Sequence, residues 1–118
     1  MRVLGIGFAG TATAQRAAMT DFLSSTLGLT RAAVDGVEAD LFVLPDGSAF
    51  AVASPAGMGD TDRSIGFVVD DLDGALDELR TLGVETDGAA GSNELFRYAH
   101  FVAPDGQVYE LMQRVDTD

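Results

Sequence analysis

Two short stretches of this chain are written twice. Thr26-Leu27-Gly28-Leu29 recurs as Thr81-Leu82-Gly83-Val84, and Phe42-Val43-Leu44-Pro45-Asp46-Gly47 recurs as Phe101-Val102-Ala103-Pro104-Asp105-Gly106, at offsets of 55 and 59 residues. Near-equal offsets mean that two halves of similar length repeat one supersecondary unit, and a unit that repeats must bury its apolar face against its copy. At 118 residues the chain holds one domain over 1–118 with a single core. It divides into module 1 at about 1–55, a linker at about 56–62 and module 2 at about 63–115.

Each half reads in the same order. Residues 3–13 and 64–70 are strand candidates, the second (SIGFVVD) rich in β-branched and aromatic residues. A helix follows each. In the second half Asp71 is placed to cap it, Leu72, Ala75, Leu76, Leu79 and Leu82 form an apolar stripe at helical spacing, and Gly83 stands where a left-handed C-terminus belongs. In the first half, residues 14–27 repeat the stripe through Ala18, Phe22, Leu23 and Leu27, closed by Gly28. Strands return after each helix and end in a Pro-Asp-Gly hairpin, so the half is β-α-β-β-β.

The hairpin fixes which side chains share a face. Proline presets φ at the second turn position and glycine takes the left-handed one, so residues 103 and 107 close the ladder. Counting outward, Val102 opposes Val108 and His100 opposes Glu110. Alternation then gathers Phe96, Tyr98, His100 and Val102 on one face with Val108, Glu110 and Met112, and turns Phe101, Tyr109 and Leu111 toward the helix. The same count in the first half puts Leu41, Val43, Ala49, Ala51 and Ala53 on the face equivalent to Glu110, with Phe42, Phe50 and Val52 toward the helix.

Charge and composition remove several function classes. Nineteen acids face seven arginines and no lysine, a formal −12, and such a field repels nucleic acid and anionic membrane. The acidity is read as solubility in preference to recognition of a cationic ligand. With no cysteine there is neither a disulfide framework nor a thiolate metal site, and no apolar run reaches the length of a membrane span or a signal peptide's core. Cytoplasmic residence is expected.

A duplicated β-α-β-β-β unit with Leu27-Gly28-Leu29 after the first helix, FVVDDLDGALDELRTLGVE in the second half and a closing FVAPDGQVYELMQ resembles the vicinal oxygen chelate superfamily, the fold of glyoxalase, bleomycin-resistance and dihydroxybiphenyl-dioxygenase proteins. The resemblance covers nearly the whole chain. It implies an α+β fold in which two tandem βαβββ modules form a cup-shaped mixed β-sheet with helices on the outer face, the cup holding a metal or a bulky ligand. Metal-dependent members carry a histidine in the first strand of each unit and a glutamate after each Pro-Asp-Gly turn. Carried over, those positions are Phe8, Ala51, Ser64 and Glu110. Only Glu110 is a good donor, His100 adds a second at most, and transition-metal sites normally use three or more protein ligands. The expectation is therefore no metal and no cofactor.

What remains is a cup lined by Phe8, Phe96, Tyr98, Met112 and Val68, with Gly10, Gly66, Ala51 and Ser64 leaving room between them and His100 and Glu110 as a polar pair. An aromatic stripe on a strand is ordinarily core. In the implied geometry, however, helices do not cover the concave face, and large rings stack well there. Two classes compete. One is a metal-independent binding protein that sequesters a bulky aromatic natural product or antibiotic, with Phe8, Ala51, Ser64, Phe96, Tyr98, His100, Glu110 and Met112 as ligand-binding residues. The other is a metal-independent lyase, isomerase or cyclase using His100 and Glu110 as an acid/base pair. The first is preferred, because nothing else in the sequence supplies a nucleophile or an oxyanion hole; a degenerate partner-binding protein is a third reading. A homodimer is expected, since a small two-unit chain leaves a sheet edge to cover. The segments 54–62 and 86–93, rich in Gly, Ala and Asp, read as mobile rims without a specificity code.

Overall fold

A computed structural model of the chain describes residues 1–33, 39–55, 63–87 and 90–115; the expected linker at about 56–62 and part of each rim segment lie outside them. Strand β1 (Val3–Ala12) leads into helix α1 (Arg16–Asp21), then β2 (Thr30–Ala32), β3 (Asp40–Val43) and β4 (Ala49–Ala53). The second half repeats that order as β5 (Arg63–Val69), α2 (Leu72–Thr81), β6 (Gly91–Ser92), β7 (Phe96–Val102) and β8 (Val108–Arg114). All eight strands join one mixed sheet in the order β2-β3-β4-β1-β5-β8-β7-β6. The two modules meet where β1 pairs antiparallel with β5; on either side of that seam β4 lies parallel to β1 and β8 parallel to β5.

The repeated turns fold alike because their sequences dictate it. In each, the residue before proline donates and accepts the closing bonds: Leu44 N to Ser48 O and Ala103 N to Gln107 O, both 2.9 Å, with Gly47 N and Gly106 N returning to Leu44 O and Ala103 O. The glycines sit at φ +83° and +81°, where a β-carbon is strained. The turns set the registers Val102↔Val108, His100↔Glu110 and Leu41↔Ala51, as the spacing predicts.

Alternation then sorts the side chains into three clusters. On the outer side of module 2, Val69, Ala99 and Leu111 are buried beneath Leu72, Ala75 and Leu76 of α2. On the outer side of module 1, Phe42 and Val52 are buried beneath Leu23, with Met19 and Phe50 packed around them. The inner face gathers Leu41, Ala49 and Ala51 from module 1 with Val68, Phe96 and Met112 from module 2. One cluster can run from β3 to β7, far apart in strand order, because the sheet curls into a half-barrel.

Helix α2 matches its sequence signals. Asp71 caps it, its Oδ1 accepting from Gly74 N at 3.2 Å, Asp73 and Arg80 complement the dipole, and Gly83 adopts φ +80° beyond its end. Leu82 is the exception to the expected stripe: it is the C-cap, past the last regular turn, and 71% exposed.

The first helix is shorter and less regular than residues 14–27 suggest. After Asp21 the chain widens into a π-helical turn, Phe22–Thr26, before Gly28 at φ +70°. A π turn breaks the 3.6-residue period on which the stripe rested, so Ala18, Phe22 and Leu27 are exposed and only Leu23 is buried, with Met19 beside it. Charge replaces part of the missing apolar contact. The Arg16 guanidinium donates Nε and Nη2 to the two oxygens of Asp40, each at 3.0 Å, while Thr20 Oγ1 and Arg31 Nη2 donate to the same carboxylate. Arg16 and Thr20 hold the Asp40 carboxyl down to about 2, against the opposing effect of its burial.

Candidate functional site

The four positions carried over as metal-ligand positions lie on four adjacent central strands. Gly10 of β1 is in register with both Ala51 of β4 and Ser64 of β5, and Gly66 of β5 with both Phe8 of β1 and Glu110 of β8. Phe8, Ala51, Ser64 and Glu110 therefore occupy two neighbouring rows of the sheet's inner face. The space expected at Gly66 is already filled: a β-carbon there would stand 2.8 Å from Met112 Sδ, 3.1 Å from Phe8 Cβ and 3.6 Å from Glu110 Cβ. Glycine is what lets these three side chains converge.

The lining residues divide by depth. Met112, Phe96, Ala51, Val68, Ser64 and Glu110 are buried, each less than a tenth exposed, whereas Phe8, Tyr98 and His100 keep partly exposed surface. Phe96 is further covered by the Arg114 guanidinium, 5.3 Å from its ring centre, whose Nη1 donates to Gly47 O at 3.0 Å. Arg114 thus ties the closing strand of module 2 to the turn of module 1. Phe96 and Met112 form the floor of the half-barrel, and Phe8, Tyr98 and His100 the accessible part. Separately, a groove of about 590 Å³ opens at the ends of β1, β5 and β8 among Leu4, Ile6, Val68, Asp70, Gln113 and Val115. Its lining includes neither His100 nor Glu110.

His100 is held from two sides. Its Nε2 faces Glu110 Oε2 at 3.4 Å, an ion-pair contact across the ladder at the register the hairpin sets. The closer partner is Asp87, whose Oδ2 lies 2.8 Å from Nδ1 and also accepts the His100 backbone N–H at 2.9 Å. Asp87 N in turn donates to His100 O at 3.1 Å. Asp87, not Glu110, orients the ring. Nothing in the spacing marks Asp87, which falls in the segment read as a mobile rim; the pairing of Thr86 with Phe101 and the bond from Val102 N to Glu85 O dock 85–87 along β7. Glu110 first and Asp87 second raise the His100 pKa to about 9, against the opposing effect of burial. The Tyr98 ring stands edge-on to the imidazole, 5.9 Å between centres.

Ser64 has the opposite character. It is 8% exposed and its hydroxyl has no hydrogen-bond partner.

A divalent metal, which the resembled family uses at these positions, does not fit the donors present. Phe8 and Ala51 offer none, Ser64 offers a neutral hydroxyl, and Glu110 is a single carboxylate. Asp87 and Glu110 engage opposite edges of the imidazole, so the three cannot face one ion. Among the described residues no three His, Cys, Asp or Glu side chains are grouped to hold one.

No family model matches this sequence, and no curated protein matches it significantly. Solved structures do. The chain is similar to methylmalonyl-CoA epimerase from Mycobacterium tuberculosis, with 19% identity and a TM-score of 0.72 over 97% of this chain and 90% of that one. It is similar to a Streptomyces coelicolor methylmalonyl-CoA epimerase in complex with 2-nitronate-propionyl-CoA, with 18% identity and a TM-score of 0.72 over 98% and 100%. A glyoxalase/bleomycin resistance protein/dioxygenase superfamily member from Vibrio splendidus gives 13% identity and a TM-score of 0.64 over 92% and 97%. At these identities the likeness is one of fold: the chain has the vicinal oxygen chelate fold.

Proposed function

We propose that this chain, built on the vicinal oxygen chelate fold, is a metal-independent binding protein that takes a bulky aromatic small molecule into its half-barrel and releases it chemically unchanged, as a sequestering or self-protection protein does. The observation that carries the reading is the donor set: the rows of Phe8, Ala51, Ser64 and Glu110 hold one carboxylate where metal chemistry needs three or more ligands, while Phe8 and Tyr98 present ring surface beside it. Several ring contacts at about 1 kcal/mol each beyond their buried area support micromolar affinity without catalytic groups. The test is to find a ligand by thermal shift and follow it by time-resolved mass spectrometry in the presence of the protein. An unchanged mass and retention time is expected.

A second reading is favoured by one observation. The cross-strand His100 and Glu110, with Asp87 behind the imidazole, form a positioned acid, and enzymes such as the epimerases above share the fold. In that reading the protein is a metal-independent lyase, isomerase or cyclase. Steady conversion of the ligand, abolished by His100→Ala, would establish it and sink the sequestration reading.

The acidic chain is expected to avoid nucleic acid and anionic lipid, and among the described residues no helix is long and apolar enough to cross a membrane. Cysteine-free composition accords with a cytoplasmic setting. The proposal includes a homodimer. Val3 and Ile6 of β1 and Ile65 of β5 are exposed on the outer side of the module seam, in register or alternation with Val69 and Phe67, and a second copy is the simplest cover for such a patch. Light scattering at micromolar concentration should give twice the chain mass of 12.3 kDa, and a monomer mass would remove this part of the proposal.

A further inference from the structure

We infer that the ligand of this half-barrel carries a protonated amine, received by Glu110 and Ser64 together. This rests on the reading that the inner face is a small-molecule site.

Glu110 and Ser64 are diagonal neighbours on one face. Glu110 is in register with Gly66, and Ser64 stands two residues along the same strand. Each is incompletely partnered. A buried hydroxyl with no hydrogen bond is destabilising, and folded proteins keep few of them; Ser64 Oγ is such a group. Glu110 is as deeply buried, and among the described residues its one ion-pair partner, His100 Nε2, meets only Oε2, at 3.4 Å. A primary ammonium has three donors and no acceptor, so it can give one hydrogen to the carboxylate and a second to the Ser64 hydroxyl oxygen while its charge answers that of Glu110.

The surroundings favour a cation over a neutral or anionic group. His100 is claimed on both nitrogens, by Asp87 and by Glu110, so the trio sets two carboxylates against one imidazolium. The whole chain adds a field of −12 with no lysine in it. The partly exposed Phe8 ring, whose Cβ crowds Gly66 beside Glu110, and the Tyr98 ring offer negative faces that attract ammonium groups. A neutral hydroxyl would satisfy Ser64 but leave the second carboxylate of the trio without a counter-charge, and a ligand carboxylate would be repelled.

Three probes of one shape separate these cases: aminomethylanthracene, hydroxymethylanthracene and anthracenecarboxylate, titrated against the intact protein at neutral pH by fluorescence. The amine should bind at least about tenfold more tightly than the alcohol, a difference of about 1.4 kcal/mol, with the carboxylate weakest. Glu110→Gln should bring the amine down to the alcohol's affinity. Ser64→Ala should weaken the amine while raising the melting temperature of the free protein, because it removes an unsatisfied hydroxyl. If circular dichroism shows Glu110→Gln to be unfolded, the wild-type ratio and Ser64→Ala decide. An alcohol that binds as well as the amine, or an amine advantage that survives Glu110→Gln, overturns the inference and leaves the pocket reading standing. Failure of all three probes to bind overturns both.

Discussion

With Asp87 on Nδ1 and Glu110 facing Nε2, the His100 imidazole holds its proton through neutral pH, its pKa raised to about 9 from an ordinary 6.5. A group whose folded pKa is raised contributes stability that is fully present below the unfolded value, here about 6.5, and is lost as pH rises through about 9. Urea midpoints of the wild type should therefore decline between about pH 7 and 9, and the His100→Gln profile should decline less over that window, what remains coming from the N-terminal ammonium that Glu78 pairs and holds protonated; parallel profiles would show that the imidazole gains nothing on folding. The same proton constrains the enzymatic reading. At neutral pH His100 can serve as a general acid and not as a base, so any reaction run here would donate a proton from Nε2.

At the scale of elements, the central strands depend on glycine for a reason that differs from the turns. Gly47 and Gly106 supply positive φ, whereas Gly7 and Gly66 have ordinary backbone angles and lie under packed side chains. A β-carbon on Gly7 would collide with Val68 Cγ2 and stand 3.3 Å from Met112 Sδ, both in the inner cluster. Gly7→Ala should cost about 1–3 kcal/mol by overpacking, measured as a lower urea midpoint at unchanged slope. A neutral result would mean that the inner face has slack there. The first helix is the weaker of the two, since its π turn leaves Leu23 as its one buried apolar residue and the Arg16–Asp40 pair as its anchor.

Across the whole molecule the modules are copies that cannot part. β5 has β1 on one side, the inner cluster draws Leu41, Ala49 and Ala51 from one module and Phe96 and Met112 from the other, and Arg114 reaches Gly47 across the join. A chain of residues 63–115 alone would expose the β5 edge and half of that cluster, so it should fail to fold as a monomer. A well-dispersed amide spectrum from a monomeric fragment would contradict this.

The repeated Pro-Asp-Gly and Leu-Gly motifs, read in the sequence, determined the order of elements, the hairpin registers and the faces of the hairpin strands, because turn chemistry and the period of two act over a few residues. They also placed His100 opposite Glu110. Tertiary structure alone decided the rest. Asp87 reaches His100 through a segment with no periodic signal, the π turn displaces the apolar stripe of residues 14–27, and Met112 and Phe8 occupy the space that Gly66 leaves. Each of these depends on how far the sheet curls and which side chains that curl forces together. The curl is a property of all eight strands at once, and no local stretch of sequence encodes it.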